Sequence, residues 1–121
     1  MKTPPVCFLL LTVAASLSAQ KQNSGLHGVV TLAGSGFRGV EVEASSSSIN
    51  QFWETSTDSA GGYVLNELPP GRYTVWVEAT GHGCIAKSGV VVKIGAPSTQ
   101  NFRFSKNKRY PGCESLKPRN Q

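Results

Sequence analysis

The feature that most constrains the fold is the regular alternation of apolar and polar residues over positions 73–79. The segment reads Tyr73, Thr74, Val75, Trp76, Val77, Glu78, Ala79. Successive side chains of a β-strand point to opposite faces, so this pattern predicts a strand with one face in a core. The same parity predicts that Trp76 faces away from that core.

Six further segments show a similar, shorter pattern, and no stretch after the first twenty residues has a convincing helical period. Glycine, proline, serine and asparagine separate them, and the chain has 13 glycines and 7 prolines in 121 residues. We therefore predict an all-β fold, a seven-stranded antiparallel Greek-key β-sandwich. The six segments are 26–32, 40–44, 52–57, 63–65, 86–94 and 102–104. The predicted inward residues are Leu26, Gly28, Val30, Leu32, Val40, Val42, Ala44, Tyr63, Leu65, Tyr73, Val75, Val77, Ala79, Val90, Val92, Ile94, Phe102 and Phe104.

Two turns between these segments have residues that backbone geometry explains. At 58–62, Asp58 can accept backbone N–H groups and Gly61 can adopt a positive φ. At 68–71, Pro69 and Pro70 restrict φ, and Gly71 takes a conformation that a side chain would disfavour. We interpret these five residues as structural turn residues.

The N-terminus has the layout of a cleavable secretory signal. Lys2 precedes an apolar run at 6–13, and small residues follow at 14–19. The apolar run is too short to span a bilayer. We predict a signal peptide at 1–19 with cleavage after Ala19, or alternatively after Ser18, and a polar lead-in at 20–25; a buried N-terminal helix or strand is the other interpretation. The mature chain would then be secreted or periplasmic, with no transmembrane segment.

Removal of the signal would leave two cysteines, Cys84 and Cys113. Two cysteines in an exported chain are most simply interpreted as one disulfide. A bridge between them would stabilise so small a domain by roughly 3–4 kcal/mol.

Charge is uneven along the chain. Residues 20–104 contain six basic and six acidic residues, whereas 105–121 contain five basic residues against Glu114. A nucleic-acid-binding domain would have its positive charge on the folded surface, so we expect no nucleic-acid partner. We predict a basic, flexible tail at 105–121 that is either simply solvated or binds an acidic polymer or membrane surface.

Two motifs carry a resemblance to a known family. The first is Thr57-Asp58-Ser59-Ala60-Gly61-Gly62-Tyr63, and the second is Leu68-Pro69-Pro70-Gly71-Arg72-Tyr73-Thr74-Val75. Their order and spacing resemble the carboxypeptidase regulatory-like domain, with His82 where that family usually has an aromatic residue. The resemblance covers 26–104 and implies a transthyretin-like, carbohydrate-binding-like sandwich that serves as a non-catalytic accessory module. Since no other domain accompanies it here, we expect binding in trans.

No catalytic or metal-binding constellation accompanies these motifs. His82 and Cys84 could bind Zn²⁺, but His27 is the only other histidine. Asp58 with Ser59 begins like a Ca²⁺ loop, yet no further acids follow at ligand spacing. No Gly-x-Ser-x-Gly motif is present, and the tail segment 109–112 reverses the motif of the transthyretin-like hydroxyisourate hydrolases. We expect no catalytic residue, no metal and no cofactor.

The two tryptophans are the candidate binding residues. The alternation of side chains along its strand predicts that Trp76 is exposed. For Trp53 the pattern allows either direction, because Phe52 competes for the inward position. An exposed tryptophan can contact a protein partner or stack on a sugar ring; the alternative is that both are half-buried. We therefore predict a non-catalytic binding module for a protein of the cell envelope or exterior, or alternatively a carbohydrate-binding module that uses exposed aromatics.

Overall fold

The computed structural model describes residues 24–111, and this range contains nine β-strands and no helix. Seven of them match the predicted segments, while β2 and β8 are additional strands of two residues each. The all-β prediction is confirmed. The strands are β1 Gly25–Leu32, β2 Ser35–Gly36, β3 Glu41–Ser46, β4 Gln51–Ser56, β5 Gly62–Asn66, β6 Gly71–Ala79, β7 Gly83–Val92, β8 Ser98–Thr99 and β9 Phe102–Phe104.

The strands form two sheets arranged as a sandwich. The four-stranded sheet has the order β4-β3-β6-β7, and all of its pairs are antiparallel. The five-stranded sheet is centred on β1, which pairs with β2 and β5 antiparallel and with β8 and β9 parallel. The antiparallel prediction is therefore right for all pairs except those two, because the chain crosses from β7 to the other sheet and then runs alongside β1 in the same direction.

The core lies between the two sheets and contains most of the predicted inward residues. Leu68, which the sequence placed only in a turn, is also fully buried. The prediction for Ile94 is wrong: its side chain is 63% exposed, because β7 ends at Val92 and the chain turns over the next residues. The buried core residues are Leu26, Val30, Val40, Val42, Ala44, Tyr63, Leu65, Leu68, Tyr73, Val75, Val77, Ala79, Val90, Val92, Phe102 and Phe104.

The two turns have the backbone geometry that their residues favour. The Asp58 carboxylate accepts hydrogen bonds from the N–H groups of Ala60 at 3.0 Å and Gly62 at 2.8 Å. Gly61 has a φ of 84°, and a Cβ there would lie 2.4 Å from the carbonyl oxygen of Val30, so only glycine fits. In the other turn, Pro69 and Pro70 precede Gly71, whose φ is 152°.

Several predictions concern residues outside 24–111. They are the signal peptide at 1–19, positions 20–23 of the lead-in predicted at 20–25, positions 112–121 of the tail predicted at 105–121, and Cys113 within that tail. These remain predictions from sequence.

Candidate functional site

Trp76 lies on β6 in the four-stranded sheet, with its side chain on the face opposite the core. Its cross-strand neighbours are Glu43 on β3 and Ala86 on β7. The parity prediction is right, but the expected exposure is wrong, because Trp76 is only 1% exposed. In this structure the indole is not available as a stacking platform. The reason lies in the tertiary structure. Alternation along a strand determines the face of the sheet to which a side chain points, but it does not determine what covers that face.

Three carboxylates converge beside Trp76 on the same outer face. Their oxygens, on Glu41, Glu43 and Glu54, all lie within 4.8 Å of one another. Glu43 is fully buried, Glu41 is half-buried and Glu54 is exposed. Oxygen ligands of this kind could accept a cation, and three like charges at this separation favour a nearby positive group.

Trp53 on β4 points towards the core, which decides between the two orientations left open by the sequence. Its ring packs edge-to-face against Tyr73, with centroids 5.9 Å apart. The neighbouring Phe52 therefore points outward and is 43% exposed. Of the three aromatic residues at issue, Phe52 is the one that presents a large exposed fraction.

The two histidines lie on different elements, His27 on β1 and His82 in the turn between β6 and β7, and each has its own surroundings. The His82 ring packs edge-to-face on Phe37 with centroids 5.3 Å apart. The Nε2 atom of His27 lies 3.2 Å from the hydroxyl of Thr99. The structure thus places them in unrelated settings and does not bring His27 to the segment that contains His82 and Cys84.

A shallow groove of about 360 Å³ lies across the start of β1 and the end of β5. Beside it, the Val64 side chain is 55% exposed on the outer face of the five-stranded sheet. Alternation in 62–66 indicates that Val64 points outward, so a sequence signal for it existed, although the groove itself depends on tertiary packing. The residues that line the groove are Ser24, Gly25, Leu26, His27, Val64, Asn66, Glu67 and Pro97.

The first residues of the predicted tail contact the edge strand β7. The Tyr110 N–H donates to the His82 carbonyl, and the Cys84 N–H donates to the Tyr110 carbonyl, both at 2.9 Å. The Tyr110 hydroxyl accepts a hydrogen bond from the Ser105 N–H at 3.0 Å, and hydrogen bonding by Ser105 lowers the pKa of Tyr110. The chain at residue 110 is thereby held beside the start of β7.

With this geometry in view, comparison with protein families identifies the chain. The model of the carboxypeptidase regulatory-like domain matches residues 25–105, about two thirds of the chain, so the protein belongs to this family. The family is a non-catalytic one. Comparison with curated proteins finds no match. Within residues 24–111, no helix is long and apolar enough to cross a membrane.

Proposed function

We propose that this protein is a non-catalytic secreted module that binds an envelope or extracellular protein through the groove beside Val64. The observation that carries the proposal is the composition of the groove. Among the described residues that line it, the groove combines apolar groups, from Leu26, Val64 and Pro97, with the hydrogen-bonding side chains of His27 and Asn66, and none of these lining residues is a tryptophan, tyrosine or phenylalanine.

That composition favours a peptide segment over a sugar ring. Carbohydrate sites commonly use an exposed aromatic face, whereas apolar and hydrogen-bonding groups together suit the side chains and backbone of a protein. Trp53 packs on the core and Trp76 is buried, so the carbohydrate alternative would depend on Phe52 instead. β5 also ends the five-stranded sheet beside the groove, and an edge strand can pair with an extended peptide.

The proposed secretion rests on the charged, apolar and small-residue order of positions 1–19. Expression with the complete N-terminus in a secreting host should give a mature protein that begins at Gln20 or at Ala19. An exported chain that retained Met1 would contradict this part of the proposal.

A matched pair of variants tests the binding surface. Val64→Glu changes the groove, and Phe52→Glu makes the same kind of change at a similarly exposed residue of the other sheet. The probes are peptides selected from a displayed random library on the wild-type protein, and a glycan array. We expect the selected peptides to bind Val64→Glu at least tenfold more weakly than the wild type, and to bind Phe52→Glu with unchanged affinity.

The opposite pattern would overturn the proposal. Peptide binding that survives Val64→Glu excludes the groove as the binding surface. Glycan binding that is lost in Phe52→Glu would favour the carbohydrate alternative. Thermal unfolding of both variants checks that the sandwich remains folded.

A further inference from the structure

The strand β5 forms an edge of the five-stranded sheet. Among the strands within residues 24–111 it pairs with β1 alone, in an antiparallel ladder that places Leu26 opposite Leu65 and Gly28 opposite Tyr63. The N–H and C=O groups of one strand residue point to the same side of the strand, and those of the next residue point to the opposite side. Alternate residues of β5 therefore direct their backbone groups away from β1.

Hydrogen bonds of β1 show which residues of β5 these are. The His27 carbonyl accepts from the Gln100 N–H at 2.9 Å, so the odd-numbered residues of β1 face β8 and β9. The Val30 N–H donates to the Gly61 carbonyl at 2.8 Å, so the even-numbered residues of β1 face β5. The register places these even-numbered residues opposite the odd-numbered residues of β5, which use their backbone groups in this ladder.

The even-numbered residues of β5 accordingly face the open side of the strand. The first of them, Gly62, confirms this direction, because its N–H donates to the Asp58 carboxylate at 2.8 Å and its carbonyl accepts from the Asp58 N–H at 2.9 Å. The next two are Val64 and Asn66, which are both exposed. Their N–H and C=O groups form a short outward row, and it ends at Glu67, where a φ of 59° turns the chain.

β5 lacks the features that usually protect an exposed edge. Natural edge strands avoid pairing through charged side chains, proline, bulges or a covering segment. Positions 62–66 contain no charged residue and no proline, and their register with β1 is regular. The edge strand β7 of the other sheet differs, because the Tyr110 carbonyl accepts from the Cys84 N–H at its start. The edge of β5 is thus suited to pairing with another strand.

The side chains around this row define the chemistry of such a strand. On the outer face of the sheet Val64 is 55% exposed, and its diagonal neighbour Val29 is 42% exposed, since Gly62 lies opposite Val29. A side chain of an added strand would lie beside Val64, where β-branched and aromatic residues pack well. The described residues that line the groove contain one acid, the exposed Glu67, and no lysine or arginine. Charge complementarity therefore favours a basic partner.

We propose that the occupant of this surface is an extended, basic peptide segment of the partner protein, which adds to the five-stranded sheet as a further strand beside β5. Its backbone exchanges hydrogen bonds with Val64 and Asn66, an apolar side chain packs beside Val64, and a lysine or arginine lies near Glu67. This inference rests on the proposed function, because it concerns the same surface, and it adds the conformation and the charge of the bound segment.

N-methylation along the peptides selected on the wild-type protein tests the strand addition. A paired strand directs every second N–H towards β5, so an N-methyl group at those positions removes a donor. We expect affinity to fall on the order of tenfold at alternate positions of the paired segment, and to change by less than about twofold at the positions between them. A peptide held only by its side chains would show no such two-residue period.

Two variants of Val64 test the same hydrogen bond from the side of the protein. Val64→Pro removes the outward N–H and keeps an apolar side chain, and an edge strand tolerates proline where its N–H faces solvent. Val64→Ala is the matched variant, because it keeps the N–H and loses apolar contact. We expect Val64→Pro to bind the selected peptides roughly three- to tenfold more weakly than Val64→Ala. Thermal unfolding checks both variants, and if Val64→Pro unfolds, the N-methyl series alone decides.

Glu67→Gln tests the charge of the segment, because it keeps the shape of the side chain and removes its charge. We expect this variant to bind the selected peptides more weakly than the wild type and to show a smaller dependence on NaCl concentration, since salt screens an exposed ion pair. Unchanged affinity and unchanged salt dependence would contradict the basic character of the segment.

The outcomes separate this inference from the proposed function. Peptide binding that is lost in Val64→Glu but shows no two-residue period would overturn the strand addition and leave the groove as the binding surface. Failure of the library to yield any peptide that Val64→Glu weakens would overturn both. A dimer of the wild type in sedimentation velocity that Val64→Pro dissociates would assign the edge to a second copy of this chain, and would overturn the peptide as its occupant.

Discussion

At the scale of single residues, Tyr63 shows how the burial of a titratable side chain makes the stability of the fold depend on pH. Its side chain is 3% exposed, and its hydroxyl donates to the Gln100 carbonyl at 2.5 Å. Burial raises the pKa of Tyr63 above the usual value of a tyrosine, because the phenolate would lose its hydration inside the sandwich. The folded state therefore holds this proton more tightly than the unfolded chain does.

The sign of the pH dependence follows from linkage. Below about pH 10, the folded and the unfolded states both keep the proton of the Tyr63 hydroxyl, and the contribution of this group to stability is complete. Above about pH 10, the unfolded chain loses this proton first, so the free energy of unfolding falls as pH rises. We expect Tyr63→Phe to lower the free energy of unfolding by about 1 kcal/mol at pH 8, through the lost hydrogen bond, and to flatten its decline above pH 10. Urea denaturation between pH 8 and 11 measures both effects.

Tyr110 provides the control with the opposite sign. Hydrogen bonds from Ser105 lower the pKa of Tyr110, so its ionisation favours the folded state at high pH. Tyr110→Phe should therefore steepen the decline of the free energy of unfolding above pH 10. If that decline had the same slope in Tyr63→Phe as in the wild type, the interpretation of Tyr63 would be contradicted.

At the scale of elements, Thr57 connects the end of β4 to the start of β3. Its hydroxyl donates to the Phe37 carbonyl at 2.6 Å and accepts from the Val40 N–H at 2.9 Å, and the side chain is buried. Thr57→Val keeps the shape but leaves the buried Val40 N–H and the partly buried Phe37 carbonyl without this partner. We expect it to cost about 1–3 kcal/mol in the free energy of unfolding.

Thr57→Ser is the matched variant, because it keeps the hydroxyl and removes only a methyl group. We expect it to retain most of the stability in urea denaturation. A Thr57→Ser variant as unstable as Thr57→Val would indicate that packing, and not the pair of hydrogen bonds, joins these two elements.

At the scale of the whole molecule, we predict a disulfide between Cys84 and Cys113. Tyr110 lies hydrogen-bonded beside Gly83, and only three positions in the sequence separate Tyr110 from Cys113. Cys84 is buried and is not a free thiol. Forming the bridge converts two thiols into one S–S bond, with two protons and two electrons passing to a disulfide oxidant.

Replacing Cys113 by serine should lower the free energy of unfolding by roughly 3–4 kcal/mol, since the bridge limits the unfolded chain. Thiol titration of the unfolded, non-reduced mature protein should find no free thiol. Two free thiols per molecule would contradict the prediction.

The seven main strands and both turns were predictable because their signals are local. Alternation in 73–79 and the Asp58 and Pro69 turns depend only on strand period and on backbone preferences. Leu68 and Ile94 were not assigned correctly, because their burial depends on where neighbouring strands begin and end. The groove was not predictable either, since its lining within residues 24–111 comes from three separated segments.

The sequence by itself determined which face of each strand a side chain occupies, because successive residues of a strand must point to opposite sides. It thereby placed both Trp76 and Val64 outward. Only the tertiary structure decided that Trp76 is 1% exposed and Val64 is 55% exposed. The physical reason is that alternation is a property of one strand, whereas burial depends on what packs over the whole face of a sheet.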